Sequence, residues 1–267
     1  MDTSPRRQPT LAETFVLLNP ESADGTRALC LLLVDWVAQG WLELKPTRIL
    51  HRPGEIWSGE SVRGVDVATL SPRLDSYARR YSAPRLVMEG VRSAGPLGQP
   101  FTLRSAAFYW RERLGRDHRG IVSDGLLPDL RDAGYLDEGR TRRFLRFTQE
   151  TVWRHTEAAG PLLSRWRDAA EAARLTLQDV TRDPEDLHSI AAVARLAGAT
   201  LLFLPDVTPR DCRIAAKALR SRGTPGGDGS VLLRLDAWER YGKRLERAVT
   251  NVGDGATTLS HGGYFRG

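Results

Sequence analysis

The chain has 267 residues, of which 41% are hydrophobic, enough for one large domain or two small ones; this excludes a chain without a core. Its formal net charge is +6, its pI is near 9.7, and nearly all of its cations are arginine. This balance indicates either an anionic partner, with lipid headgroups or nucleic-acid phosphates, or the codon bias of a GC-rich genome.

Two segments share a pattern in which a helix ends at a glycine, an aromatic residue and a leucine follow, and a strand comes next. The first glycine is Gly40, after the apolar stretch 27–39; the second is Gly134, after a helix predicted over 124–133. Glycine in this place is typical of a left-handed C-cap. The pattern predicts winged-helix-like helix/strand modules, and the stretch 27–39 predicts a buried helix because it has no polar face.

Most other elements are predicted to be helical. Helices are expected over residues 11–18, 65–81, 102–116, 124–133 and 231–250, with further helices opening at Pro161, Pro184 and Pro209. Asp124 is the expected N-cap of its helix, and residues 153–157 are interpreted as a helix entry. Strands are predicted over 41–50 and 142–147. The fold class is therefore mostly α with short β-hairpins, an α+β arrangement.

Composition also predicts the domain organisation. The expected parts are a disordered N-terminus (1–10), a helical core (11–222), a linker (223–230), an amphipathic C-terminal helix (231–250) and a flexible tail (251–267). No signal peptide is predicted. The most apolar segment, 187–207, carries Arg195 near its centre, which favours a buried helix over a membrane span. A cytoplasmic protein is expected, at most peripheral at the inner face of the membrane.

Motifs of catalysis are missing from the sequence. It contains no phosphate loop, no dinucleotide-binding glycine pattern, no G-x-S-x-G and no H-E-x-x-H, and its five histidines are scattered. The two cysteines, Cys30 and Cys212, are predicted to pack in the core without a disulfide. We therefore predict a protein that is not an enzyme and that has no cofactor and no metal site.

The segment from Arg140 to Phe147 mixes arginine with apolar residues in one predicted hairpin. Phe144 and Leu145 can enter the headgroup boundary of a membrane while the arginines meet phosphates. The predicted anion-binding residues of the hairpin are Arg140, Arg142, Arg143 and Arg146. Two other interpretations are open, a wing against a DNA backbone and an ordinary solvated hairpin. The helix at 124–133 has three aspartates and one arginine, which argues against DNA.

The order of elements resembles the GPP34 family of Golgi phosphoprotein 3-like proteins over roughly residues 11–222. The matching segments are the helix 11–18, Asp24-Gly25, Trp36 to Leu44, Leu130 to Leu136, and, loosely, Asp186 to Leu202. The pattern at Leu130 to Leu136 is also similar to the cytosolic winged-helix part of bacterial DUF2207 membrane proteins. The GPP34 resemblance implies affinity for anionic membranes and self-association through the basic hairpin.

The resemblance also marks candidate lipid-binding arginines. Arg27 lies near the position of a family pocket residue, although out of register and without the preceding tryptophan. Near the later pocket positions, without their spacing, lie Arg113, Arg116 and Arg119. The phosphoinositide specificity of eukaryotic members is therefore not carried over.

The sequence thus predicts a non-catalytic peripheral membrane or adaptor protein that binds anionic phospholipid surfaces through a basic hairpin and an arginine-rich face. The alternatives are a winged-helix DNA-binding protein and an interaction or assembly module of a bacterial system. Self-association through the hairpin or the C-terminal helix is a further expectation, whereas nucleic acid is the less favoured partner.

Overall fold

The structure, a computed structural model, describes residues 7–47, 65–95, 101–142, 149–180, 198–203, 208–221 and 229–250. These residues are mostly helical. The helices are α1 (Leu11–Leu18), α2 (Gly25–Ala38), α3 (Arg73–Ala78), α4 (Ser82–Ala94), α5 (Leu103–Leu114), α6 (Arg119–Ile121), α7 (Leu127–Asp132), α8 (Gly160–Val180), α9 (Pro209–Ser221) and α10 (Gly229–Thr250). A π-helical turn (Val122–Leu126) joins α6 to α7, and 3-10 turns cover Glu157–Ala159 and Gly198–Phe203.

Two small antiparallel sheets accompany the helices. The strands are β1 (Leu42–Thr47), β2 (Val65–Leu70), β3 (Phe101–Thr102), β4 (Leu136–Arg142) and β5 (Gln149–His155). The first sheet has the order β1-β2-β3, and the second is the hairpin of β4 and β5. In this hairpin Leu136 lies opposite His155 and Arg142 lies opposite Gln149. The prediction of a mostly helical α+β protein is confirmed.

Helix α2 occupies the centre of the core. The Asp24 carboxylate accepts a hydrogen bond from the Arg27 amide at 2.7 Å and so caps its first turn. Ten residues of the helix are buried, on all of its sides, including Leu33 and Trp36. The predicted burial of this helix is confirmed. Such a helix is stable only when other elements surround it, here α1, β1, α6 and α10.

Both predicted glycine caps are present and have the same geometry. Gly40 and Gly134 have φ values of 69° and 87°. After each glycine, the amide of the aromatic residue donates to a carbonyl five residues back, from Trp41 to Trp36 at 2.8 Å and from Tyr135 to Leu130 at 3.0 Å. This is the hydrogen bond of a Schellman motif, so α2 and α7 end for the same physical reason.

Three local predictions are wrong. Residues 65–70 form strand β2 rather than a helix, because Val65 to Leu70 pairs along its whole length with β1. Asp124 is not an N-cap: it lies inside the π-helical turn, where the chain from Arg119 to Asp132 continues without interruption. Residues 153–155 end strand β5 instead of entering a helix.

The C-terminal helix α10 packs on the core of its own chain. Its predicted inner face, formed by Leu235, Trp238, Leu245 and Val249, is buried against α2, α5 and α9. Two ion pairs fasten it to α2: Arg234 to Asp35 at 2.7 Å, and Glu246 to Arg27 at 2.5 Å. Because α10 begins at Gly229, it includes the last two residues of the predicted linker, whereas residues 223–228 and the tail 251–267 lie outside the described part.

Residues 7–10, which were expected to be disordered, are held against the core. The Arg7 guanidinium donates a hydrogen bond to the Glu13 carboxylate at 2.6 Å. The backbone carbonyl of Arg7 accepts one from the Tyr135 hydroxyl at 2.8 Å. Burial lowers the pKa of Arg7, but the hydrogen bond and charge of Glu13 outweigh it and raise the pKa overall. Thr10 and Glu13 form a capping box that starts α1.

Candidate functional site

The second hairpin leaves the core at its root. Leu136 is fully buried, but beyond it Asp137, Glu138 and Arg140 are exposed. On the returning strand, Thr151 and Arg154 are exposed, and Val152 and Trp153 are half-buried. Beyond Leu136 the strands are therefore largely exposed, although Trp153 packs against the core. An exposed hairpin can contact an extended surface without a change in the fold.

Three hydrogen bonds fix the root of the hairpin. His155 Nε2 lies 2.7 Å from the Leu17 carbonyl of α1. The Thr156 hydroxyl donates to the Gly134 carbonyl at 2.8 Å, and the Thr156 amide donates to the Tyr135 carbonyl at 3.1 Å. The direction of the hairpin is therefore set by the core.

Charge is distributed unevenly along the hairpin. Its acidic residues near the root are Asp137 and Glu138, and Glu138 accepts a bond from Arg131 of α7 at 3.1 Å. The outer half, residues 140–151, contains four arginines, three large apolar residues and one acidic residue, Glu150. The outer half of the hairpin is therefore the more basic half.

An open cleft of about 740 Å³ lies beside the root. It is bounded by the turn before α2, the segment from Asp117 to Leu127 and strand β5, with Val152 and Trp153 in its wall. Its charged residues are Glu21, Asp24, Asp117 and Arg119, and Arg119 pairs with Asp117 at 2.8 Å. The cleft is therefore net acidic.

Arg27, a candidate from the resemblance, makes contacts within its own chain. It pairs with Glu246, donates to the Leu202 carbonyl at 2.7 Å, and lies with Cζ 4.0 Å from the centroid of the Trp238 ring. These contacts join α2 to α10 and the 3-10 turn at Gly198–Phe203. We therefore assign Arg27 a role in holding these elements together and leave it out of the candidate site.

The candidates Arg113, Arg116 and Arg119 lie near one another: Arg113 is in the last turn of α5, Arg116 is in the loop that follows, and Arg119 begins α6. All three are exposed. Arg113 lies 4.0 Å from Asp124, and Arg119 borders the cleft that also touches β5. The structure therefore brings Arg119 close to the root of the hairpin.

The hairpin candidates divide between the described residues and those outside them. Arg140 is an exposed residue of β4, and Arg142 is the last residue of that strand. The other four candidates, Arg143, Phe144, Leu145 and Arg146, lie outside the described residues. The structure thus places two of the six hairpin candidates on an exposed strand.

The sequence alone did not single out His118, which packs against the start of α2. Its φ of 55° is left-handed, and a side chain on Gly25 would lie 2.4 Å from the His118 carbonyl. His118 Nδ1 lies 3.2 Å from the Thr26 hydroxyl, and Nε2 has no hydrogen-bond partner among the described residues. Burial lowers the pKa of His118. No local signal marks this histidine, because its burial depends on the distant residues Gly25 and Thr26.

The described part of the chain was also searched for metal ligands, reactive thiols and membrane-spanning helices. No group of three histidine, cysteine or carboxylate residues there could hold a metal ion. Cys30 and Cys212 are both buried as free thiols, and burial raises the pKa of Cys212 to about 12. None of the described helices combines the length and apolar character needed to cross a bilayer.

Together the fold and the site define an α+β protein with an exposed, basic hairpin. No protein-family profile and no curated protein matches the chain significantly.

Proposed function

We propose that the protein is a non-catalytic peripheral membrane adaptor that binds anionic phospholipid surfaces through the hairpin of β4 and β5. The supporting observation is the exposure of a basic hairpin whose root is fixed by hydrogen bonds. Arg140 and Arg142 belong to strand β4. In sequence, the segment between β4 and β5 adds Arg143, Phe144, Leu145 and Arg146. Arginine beside aromatic and aliphatic residues suits the boundary between headgroups and acyl chains.

The winged-helix alternative is less well supported by the helix before the hairpin. A DNA reader places an exposed basic helix in the major groove. Helix α7 is short, and Asp129 in its first turn is buried, where its carboxylate accepts from the Ser82 and Ala83 amides at 2.7 and 2.9 Å. This helix therefore caps α4 within the protein. Its remaining charges include Asp132 and Arg131, which bond to each other.

Vesicle sedimentation tests the proposal. The intact chain should pellet with phosphatidylcholine vesicles that contain phosphatidylserine and not with phosphatidylcholine alone, and raising the salt concentration should weaken binding. A variant with Phe144→Ser, Leu145→Ser and Arg146→Gln should lose binding by on the order of tenfold or more, since it removes apolar insertion and one charge.

A matched control changes similar residues elsewhere. Phe108 and Leu233 are the large apolar side chains that are clearly exposed among the described residues. The variant with Phe108→Ser and Arg85→Gln should bind vesicles like the natural sequence. Equal, negligible pelleting of the intact chain with both vesicle types would end the membrane proposal.

A further inference from the structure

Most of the net positive charge of the protein lies on its last two described helices. Helices α9 and α10 together carry nine basic and four acidic side chains, a surplus of five in a chain whose total surplus is six. A charge asymmetry of this size between parts of a chain indicates an anionic partner for the charged part.

The acidic residues of α10 bond to residues of other helices. Asp236 pairs with Arg220 of α9, Glu239 pairs with Arg213 of α9 at 2.6 Å, and Glu246 pairs with Arg27 of α2. All three carboxylates are only partly exposed. They therefore neutralise cations that face α10.

Four cations form the outer face of α10, which we call the α10 basic face: Arg240, Lys243, Arg244 and Arg247. Their spacing of i, i+3, i+4 and i+7 places them on one side of the helix, within about 10 Å along its axis. All four are exposed, whereas the opposite side is buried. Leu233, which is 54% exposed, lies two turns before Arg240 on the same side.

The helix dipole does not account for this face. Cations are favourable near a helix C-terminus, but the effect is confined to the last turn. Helix α10 ends at Thr250, so Arg240 and Lys243 lie about two turns or more from the end.

We propose that the α10 basic face binds the headgroups of an anionic lipid bilayer, as a second membrane contact beside the hairpin. The face is the outer side of a docked helix, and it carries no aromatic residue on which a nucleic-acid base could stack. Exposed cations with a neighbouring leucine match a planar, negatively charged surface. This inference rests on the proposed membrane function.

The two contacts lie at the same end of the molecule. Glu246, beside the basic face, bonds to Arg27 in the first turn of α2. Gly25, at the start of that helix, lines the same cleft as Val152 and Trp153 at the root of the hairpin. Two linked contacts bind more tightly than either contact alone.

The experiment neutralises the face in the full chain. A triple variant with Arg240→Gln, Lys243→Gln and Arg247→Gln should partition onto phosphatidylserine-containing vesicles on the order of tenfold less than the natural sequence. The matched control is Arg73→Gln, Arg85→Gln and Arg165→Gln, which removes three exposed charges elsewhere. The control should bind as the natural sequence does.

A conservative variant guards against misfolding. Replacing Arg240 and Arg247 with lysine keeps the charge, so this variant should bind vesicles like the natural sequence. A tenfold loss on charge-preserving replacement would contradict headgroup attraction as the cause. Binding by the triple variant equal to that of its control would overturn the inference directly.

The failure of this inference differs from failure of the proposed function. If the hairpin variant loses binding and the triple variant does not, the hairpin function stands and the basic face has no part in it. If only the triple variant loses binding, the face stands and the hairpin proposal falls. If the triple variant loses affinity for duplex DNA but still binds vesicles, nucleic acid is the ligand of the α10 basic face and the bilayer proposal is overturned. Absence of vesicle binding by the intact chain would overturn both.

Discussion

The two helix–hairpin modules begin alike and end in different surroundings. The first comprises α2, β1 and β2, and the second comprises α7, β4 and β5. In each, a Schellman motif at a left-handed glycine ends the helix, and an aromatic residue and a leucine lead into the strand. In each, the amide after the returning strand donates to the carbonyl of that aromatic residue, Ser71 to Trp41 and Thr156 to Tyr135.

The modules differ in what covers their strands. In the first module Leu42, Leu44, Ala68 and Leu70 are buried, and β3 extends the sheet. In the second, Leu136 is the one fully buried residue among the strand residues whose burial is described, and Trp153 packs against the core partly exposed. The comparison teaches that the local pattern sets the cap and the turn of the chain, whereas side-chain polarity decides whether the hairpin joins the core or stays exposed.

The largest expected difference between the modules is in stability. Leu33→Ala in α2 should lower the free energy of unfolding by about 2–5 kcal/mol, because it leaves a cavity in a fully buried site. Val152→Ala in β5 should cost less than about 1 kcal/mol, because its site is half-buried. Urea denaturation measures both changes, and equal costs would contradict the contrast between the modules.

A second difference is the ion pair that holds the first module to α10. Arg234→Ala removes the partner of Asp35, whose side chain is 3% exposed, and should cost about 3 kcal/mol since the carboxylate stays buried. Arg154→Ala on the second hairpin should be close to neutral. Thermal and urea unfolding of the two variants measure these costs. A neutral Arg234→Ala would mean that this ion pair contributes little and that the apolar face holds α10 on α2.

The shared caps predict equal costs in the two modules. Gly40→Ala and Gly134→Ala should each cost about 1 kcal/mol, because alanine is strained at positive φ. No atom lies within 4 Å of a Cβ built at either site, so packing adds nothing. Gly160→Ala is the control, as it also has open space but helical φ. Unequal costs at Gly40 and Gly134 would show that the two caps are not equivalent.

His118 predicts a smaller, pH-dependent effect at the start of the first module. Its pKa is lowered mainly by burial; among the charges that act on it, Asp117 and Asp24 raise the pKa and Arg111 lowers it. A depressed pKa means that its contribution to stability is present above about pH 6.5, the ordinary value, and is lost as the pH falls through the native value. Unfolding measured from pH 7.5 downward should show this loss.

The control for this effect is His118→Asn, which does not titrate and tolerates left-handed φ. The variant should flatten the pH dependence of stability in that range. An unchanged slope would assign the dependence to other groups.

Much of the fold could be predicted from local signals. The helices at 11–18, the apolar helix α2 and the amphipathic face of α10 follow from periodicity, and both C-caps follow from glycine. Strand β2 could not be predicted so well, because its conformation depends on pairing with β1 across a long separation in sequence. The partners of Arg27 were hidden for the same reason, since Glu246 lies 219 residues away.

The candidate site was predictable in composition but not in placement. The basic hairpin and the cations of α10 stand out in the sequence. Tertiary contacts decide how far the strands are exposed. They also bring the end of α10 to the start of α2, through Glu246 and Arg27. The clustering of Arg119 with the hairpin root has the same origin.

The most direct test of the central claim is amide hydrogen exchange with and without phosphatidylserine-containing vesicles. The proposed function predicts slower exchange on membrane binding in the second hairpin, residues 136–155, and unchanged exchange in the strands of the first module, 42–47 and 65–70. Neutral phosphatidylcholine vesicles should change neither. Unchanged exchange in residues 136–155 with anionic vesicles, or equal protection of both hairpins, would contradict a membrane contact made by the exposed hairpin.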